Sequence, residues 1–418
     1  MLRRRANGGL VAAVVLVAVA LIPASAFAAR PAGSPMTSDP PFLQSIDLTD
    51  GKTLWTADLG SRPGIVKVAG ATDGVVVVVE YPCDAELGAT AVSGFDANTG
   101  KRRWRMSTRS AYGLNHFGGS PVDPALGVSA RGVVWIEYRS SDDLRVRSVD
   151  PRSGDELWET RGSQADSWPL AGNRDIVVLG PHPNLINDFG GNPSATIRAL
   201  DRRTGKELWQ SEFQTTGARS LGAATTNDVV VANVDNRLQG LDVRTGHERW
   251  SVDLPVPDGA YNQARLGAAG PVAIVTQDAG VSRFATSGVD ATNGQVLWSG
   301  SNDIVIQQPK PAGPDTLAVT IPSGQLDGSA SLTVSRFDAQ TATHVWTVPS
   351  SGFFNGLAPM STKTFAVLPR DQALAVLNFA DGSELRSIAP SARTSSGVIA
   401  GRRLYLAGGC RADPEQGG

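Results

Sequence analysis

The sequence predicts an all-β chain: an eight-bladed β-propeller of four-stranded antiparallel blades, closed by pairing of N- and C-terminal strands in one blade. Three observations carry this. A short motif recurs through almost the whole of the 418 residues. A pair of strand-like runs precedes nearly every copy, and the two chain ends supply the halves that would otherwise be missing.

The motif is clearest in Ala199 to Gln210, ALDRRTGKELWQ, which places Asp201, Gly205 and Trp209 at fixed offsets. An aspartate at the end of an apolar run accepts a hydrogen bond from a turn amide just ahead of it. A glycine four residues on takes the left-handed conformation that closes a short hairpin, and the tryptophan falls on the returning strand. In order, the copies are Asp47/Gly51/Trp55, Asp96/Gly100/Trp104, Asp150/Gly154/Trp158, Asp201/Gly205/Trp209, Asp242/Gly246/Trp250 and Asp290/Gly294/Trp298. Two worn copies follow, Asp338/Ala342/Trp346 and Asn378/Gly382/Arg386. Seven of the nine tryptophans share one phase of the motif, so the repeat is not a chance pattern. Successive anchors lie 49, 54, 51, 41, 48, 48 and 40 residues apart, the period of four-stranded propeller blades and not of helical repeats.

The strand pairs follow the same order: Ile65 to Glu80, Val128 to Tyr138, Trp168 to Leu179, Ala218 to Val234, Ala264 to Thr276, Ile304 to Ile321, Phe354 to Leu368 and Ser395 to Ala407. The first hairpin, from Phe42 to Leu59, has no pair before it, and the last pair has no hairpin after it. Joining them makes one mixed blade, with inner strands from the C-terminus and outer strands from the N-terminus. That closure removes exposed sheet edges at the chain ends.

Outside the repeat, residues 1–28 read as a signal peptide. Arg3 to Arg5 are basic, Leu10 to Ile22 apolar, and Ala24-Ser25-Ala26 or Ala26-Phe27-Ala28 suits cleavage. An uncleaved anchor is the other reading of this segment, and only it would tie the protein to a membrane. Residues 29–41 are expected as a flexible tether, 42–410 as the propeller and 411–418 as a disordered tail. Abundant Gly (46) and Pro (26) with 41% hydrophobic residues suits many short strands and turns. The formal charge is -2, and about -5 once the three leader arginines are gone, which argues against a nucleic-acid partner.

The two cysteines, Cys83 and Cys410, each follow the second strand of a blade, and the proposed closure makes those blades neighbours. A disulfide between them is expected in an exported chain.

ALDRRTGKELW, GFDANTGKRRW and GLDVRTGHERW resemble the repeat of the PQQ-like (quinoprotein-type) β-propellers, and the likeness spans Phe42 to Ala407. That group includes quinoprotein alcohol dehydrogenases and the non-enzymatic lipoprotein subunit of the outer-membrane β-barrel assembly machine. The resemblance implies that Trp55, Trp104, Trp158, Trp209, Trp250, Trp298 and Trp346 are blade staples, each stacked near the repeat glycine of a neighbouring blade. Ala342 and Arg386 depart from the pattern, so docking around the last two hairpins should be weaker. The enzymatic branch of the group holds PQQ with calcium, commonly beside a disulfide of adjacent cysteines, and is usually longer. This sequence has no adjacent cysteines, and no catalytic position maps across.

Motifs for other chemistry are sparse. His116, His182, His247 and His344 sit in separate blades or loops, no HxxxH or HxH spacing occurs, and there is no GxSxG elbow. Gly118-Gly119 and Gly190-Gly191 lack the following helix a phosphate cradle needs. No catalytic, cofactor-binding or metal residue is therefore assigned. A binding site, if built on the long connections, centres on His182, Asn184, Asn187 and Asp188 in GPHPNLINDFGGNP, with Tyr112, Asn115, His116, Tyr261 and Asn262 nearby. The expectation is a monomeric, non-enzymatic, extracytoplasmic binding or scaffold module for a protein or cell-envelope partner. The alternatives are a PQQ- and calcium-dependent dehydrogenase and a sugar- or peptide-binding propeller.

Overall fold

The hairpin motif sets the architecture from its smallest parts upward. In the computed structural model the Asp201 carboxylate accepts from the amides of Arg203 and Thr204 at 3.1 and 2.8 Å and from the Thr204 hydroxyl at 2.8 Å. The Gly205 amide donates to the Asp201 carbonyl at 2.8 Å, with Gly205 at φ +67°. The same turn recurs around the chain, and at Asn378 the side-chain amide oxygen takes the carboxylate's part by accepting from Ala380 at 3.0 Å. Each turn ends in a one-residue register shift, as between Ala199 and Leu200 or Gly240 and Leu241, and this bulge aims the following tryptophan off the blade.

The structure describes residues 36–37, 40–59, 64–82, 89–111, 127–140, 143–162, 168–181, 194–214, 221–234, 237–254, 261–278, 284–301, 303–306, 315–320, 332–350, 359–370, 373–391, 394–409 and 411–412. They form eight four-stranded antiparallel sheets, each a meander. Blades 1 to 7 run in chain order: 64–111, 128–162, 168–214, 221–253, 261–301, 303–350 and 360–388. Blade 8 is the mixed one: Thr394–Ala400 and Arg403–Gly408 form its inner strands, Phe42–Asp47 and Thr53–Asp58 its outer ones. The joint is a full ladder, from Phe42 opposite Gly408 to Asp47 opposite Arg403. Pairing continues into the segments expected to be tether and tail, where Met36–Thr37 runs antiparallel to Arg411–Ala412.

The core lies between blades, because the second strand of each is apolar on both faces. Val75 to Val79 illustrates this: alternate valines pack toward blade 8 with Val66, Phe95 and Tyr405, and toward blade 2 with Trp104, Val133 and Trp135. Seven tryptophans lock these layers. Each indole Nε1 donates to the carbonyl of the residue after the anchor Asp or Asn of the next blade: Trp55 to Ala97 (3.0 Å), Trp104 to Pro151 (2.8 Å), Trp158 to Arg202 (2.7 Å), Trp209 to Val243 (2.9 Å), Trp250 to Ala291 (2.9 Å), Trp298 to Ala339 (2.7 Å) and Trp346 to Phe379 (2.9 Å). Its ring lies on the next blade's repeat glycine so closely that a methyl added at Gly205 would stand 2.6 Å from Trp158.

The worn copies are handled differently. Trp298 meets Ala342, which holds the glycine's left-handed conformation at φ +59°. Between blades 7 and 8, Arg386 takes the tryptophan's place: its guanidinium donates to the Thr49 carbonyl and its stem lies over Gly51. Arg403 adds a second donor to Ala97 at the next junction.

Candidate functional site

Antiparallel meanders sort the connections by end. The Asp turns and the turns between the first two strands share one end of the ring; the connections between second and third strands, and between blades, share the other. All the long connections singled out in the sequence therefore leave from one end. Strand Ile176–Gly180 leads there into the stretch carrying His182, Asn184, Asn187 and Asp188, and Arg102–Ala111 leads into Tyr112, Asn115 and His116. Those seven residues lie outside the described residues, as do the leader, Cys83 and Cys410. Tyr261 and Asn262 are described and open the inner strand of blade 5, next to a register shift between Tyr261 and Ala264.

Among the described charges toward this end is a group between blades 1 and 2. Lys67, on an inner strand, stands 5.7 Å over the Tyr81 ring, and burial lowers its pKa to about 8. Across the interface Glu137 is 2% exposed and accepts from Arg147 at 2.9 Å, and Arg147 also lies 5.8 Å over Trp135. A carboxylate buried this deeply is tolerable because it is paired.

The opposite end is built from the turns. Arg103 holds Asp96 at 2.6 Å and, with the turn amides of Thr99 and Asn98, lowers its pKa from 3.8 to about 2. Arg249 acts the same way on Asp242 at 2.5 Å. A depressed carboxylate stabilises the fold above its unfolded pKa and loses that contribution as pH falls through the folded value. Stability at this turn should therefore hold down to about pH 4 and decline toward pH 2. Arg103→Leu, which copies the residue at the equivalent position of blades 2, 3, 5, 7 and 8, should shallow that decline in urea denaturation at pH 7, 4 and 2.5. Parallel curves for variant and wild type would refute the assignment.

Sequence reasoning missed Arg202. It follows a repeat Asp, a position filled elsewhere by residues such as Leu48, Val243 or Phe379, yet it is 2% exposed, with Nη1 donating to Gly127 at 2.8 Å. Burial lowers its pKa to about 10, so it stays charged at neutral pH. The apolar run ALD before it gave no sign of this. His247 is exposed in a blade 4 turn, and the His344 ring packs 5.3 Å from Phe337 in blade 6, so the two described histidines do not converge. Among the described residues no group of three or more His, Cys, Asp or Glu is placed to hold a metal ion.

An eight-bladed ring with an indole in seven of its eight junctions and Asp-to-Gly turns throughout defines a PQQ-repeat propeller. The chain belongs to the family of the outer membrane protein assembly factor BamB, whose model matches residues 34–179 and 193–333. It is similar in fold to BamB from Moraxella catarrhalis (15% identity, 82% of this chain and 96% of that one, TM-score 0.50). Apo AztD from Citrobacter koseri is similar at 13% identity over 89% and 96%, with a TM-score of 0.52. A further likeness is to the serine/threonine-protein kinase AfsK of Streptomyces coelicolor, 30% identical over 141 residues. The match covers 31% of this chain and only 16% of that protein.

Proposed function

We propose that the protein is a non-enzymatic, extracytoplasmic binding or scaffold module that holds a cell-envelope protein on its long-connection end. The observation that carries this reading is how the repeat's polar groups are engaged. The anchor Asp and Asn side chains hold their own turns, and the seven staple indoles each reach a neighbouring carbonyl. These groups serve the framework, which leaves recognition to the variable connections. Membership in a family named for outer-membrane protein assembly supports an envelope setting. Fold likeness alone would be a weak warrant for redox chemistry.

The direct test is crosslinking of the exported protein in its own cells, followed by identification of what is captured. Recovery of an envelope protein, lost when Asn184 and Asp188 are both replaced by alanine, supports the reading. Binding of PQQ with calcium, seen as cofactor absorbance and alcohol- or sugar-dependent dye reduction, would overturn it.

Export also bears on the cysteines. Strands Val75–Pro82 and Arg403–Gly408, which lead into Cys83 and Cys410, are second strands of adjacent blades that end at the same face. The mature protein is expected to show no free thiol by alkylation and mass spectrometry until it is reduced. Reduction should lower stability by up to about 4 to 5 kcal/mol. Two alkylatable thiols in the unreduced, unfolded protein would sink this expectation.

A further inference from the structure

The residue before the repeat glycine position carries a hydroxyl in five copies, at Thr99, Ser153, Thr204, Thr245 and Thr341. Blades 7 and 8 have Asp381 and Asp50 there, and blade 5 has Asn293. A glycine has no side chain to hinder its own nitrogen, so in an Asn–Gly pair that nitrogen can attack the asparagine side-chain carbonyl carbon. The new C–N bond closes a succinimide as ammonia leaves, and water then opens the ring to aspartate or isoaspartate. Hydroxyl residues cannot react this way. The Lys52 amide holds Asp50, and the Ser383 hydroxyl holds Asp381, below the usual carboxylate range, so both are ionised at neutral pH and are poor electrophiles. Asn293 keeps an uncharged amide, and Asn293–Gly294 is the one Asn–Gly pair among the described residues.

The closed turn holds this reaction back. The Gly294 amide donates to the Asp290 carbonyl at 2.8 Å, and Gly294 is buried beneath the Trp250 ring, which an added methyl would approach to 2.6 Å. The Asn293 side chain is tied on both sides, its Nδ2 donating to Asp290 Oδ2 at 3.1 Å and its Oδ1 accepting from the Gln295 amide at 2.8 Å. We propose that Asn293 is a deamidation site of this protein, and that the Trp250 stack between blades 4 and 5 gates it. Release of Trp250 frees the Gly294 amide, and the turn reacts only while it is open. An isoaspartyl link adds one methylene to the backbone between residues 293 and 294, so Gly294 can no longer bond to Asp290 and lie under Trp250 at once. A passing opening of the junction becomes permanent. This is independent of what the long-connection end binds.

The test is incubation of the full exported chain at mildly alkaline pH, with mass spectrometry and isoaspartate detection on the peptide that contains residue 293. Folded wild type should deamidate there at least about tenfold more slowly than the same chain in urea. Trp250→Phe should raise the folded rate by about fivefold or more, whereas Trp104→Phe, the same change between blades 1 and 2, should leave it unaltered. Asn293→Thr, which installs the residue of blades 1, 3 and 4, should abolish the modification with an unchanged thermal midpoint. Four results would overturn the proposal: no modification at residue 293 even in urea, equal rates in the folded and unfolded chain, a folded rate indifferent to Trp250→Phe, or one raised equally by Trp104→Phe.

Discussion

Trp250→Ala is expected to lower stability by about 3–5 kcal/mol, the range for truncating a buried tryptophan. The indole fills the wedge between blades 4 and 5, packed with Leu266, Ala273 and Val289, and its Nε1 satisfies the Ala291 carbonyl at 2.9 Å. Alanine removes both the packing and the donor. Trp250→Phe keeps most of the apolar contact but strands that carbonyl, so it should cost less, about 1–3 kcal/mol. Gly294→Ala attacks the same joint from the other blade. The residue sits at φ +80°, and the added methyl would lie 2.6 Å from the Trp250 ring. Urea denaturation of the three variants should rank alanine at 250 as more damaging than phenylalanine. A cost below 1 kcal/mol for Trp250→Ala would mean that the indole decorates the junction without holding it.

How much of this was legible in the sequence follows from the range of the interactions. The turn is local: Asp201, Thr204 and Gly205 satisfy one another within five residues, so their spacing alone declared the hairpin. Ring closure is remote, yet counting was enough, because an unpaired first hairpin and an unpaired last strand pair leave each other as partners. Substitutions that change the chemistry of a junction were harder to see. Arg386 read as a lost tryptophan, whereas its long stem and forked donor reach across to Gly51 and the Thr49 carbonyl. Nothing in the motif marks Arg202, and only the arrangement of blade 2 around it buries it. The inner strands of blades 2 and 7 show the same limit. Val128–Ser129 and Met360–Ser361 are two residues long, because apolar runs show that a strand exists and not how far it finds a partner.

The loop-borne residues were chosen by a different argument, that long polar connections on a rigid frame are where recognition resides. Topology brings the connections carrying Asn184, His116 and Tyr261 to one end of the ring. Side-chain chemistry alone does not say what meets them there, since amides and imidazoles suit peptides and sugars alike. That is why capture of the partner, and not residue type, decides the function.

Ending the chain after Pro390 should abolish cooperative folding altogether. The cut removes both inner strands of blade 8, and with them Leu404, Tyr405, Leu406 and Ala407, all of them 2% exposed or less. Burying a large apolar side chain stabilises by about 1.5–3 kcal/mol, so three of these together approach the roughly 5–15 kcal/mol that holds a whole domain. The loss does not stop there. Strand Phe42–Asp47 would present its entire ladder to water, and Leu43 and Ile46, together with Val66 and Val367 from the neighbouring blades, would lose their cover. Such an edge, apolar and unpaired, favours aggregation. The truncated chain is expected to be insoluble, or to unfold without a sigmoidal transition. Ending the chain at residue 412 should be nearly silent, because it spares the whole ladder. Adding a peptide of residues 391–412 should restore a cooperative transition to the shorter chain. If that chain instead unfolds in one sharp step within about 2 kcal/mol of full length, its seven complete blades stand unaided and the mixed blade is not what shuts the ring.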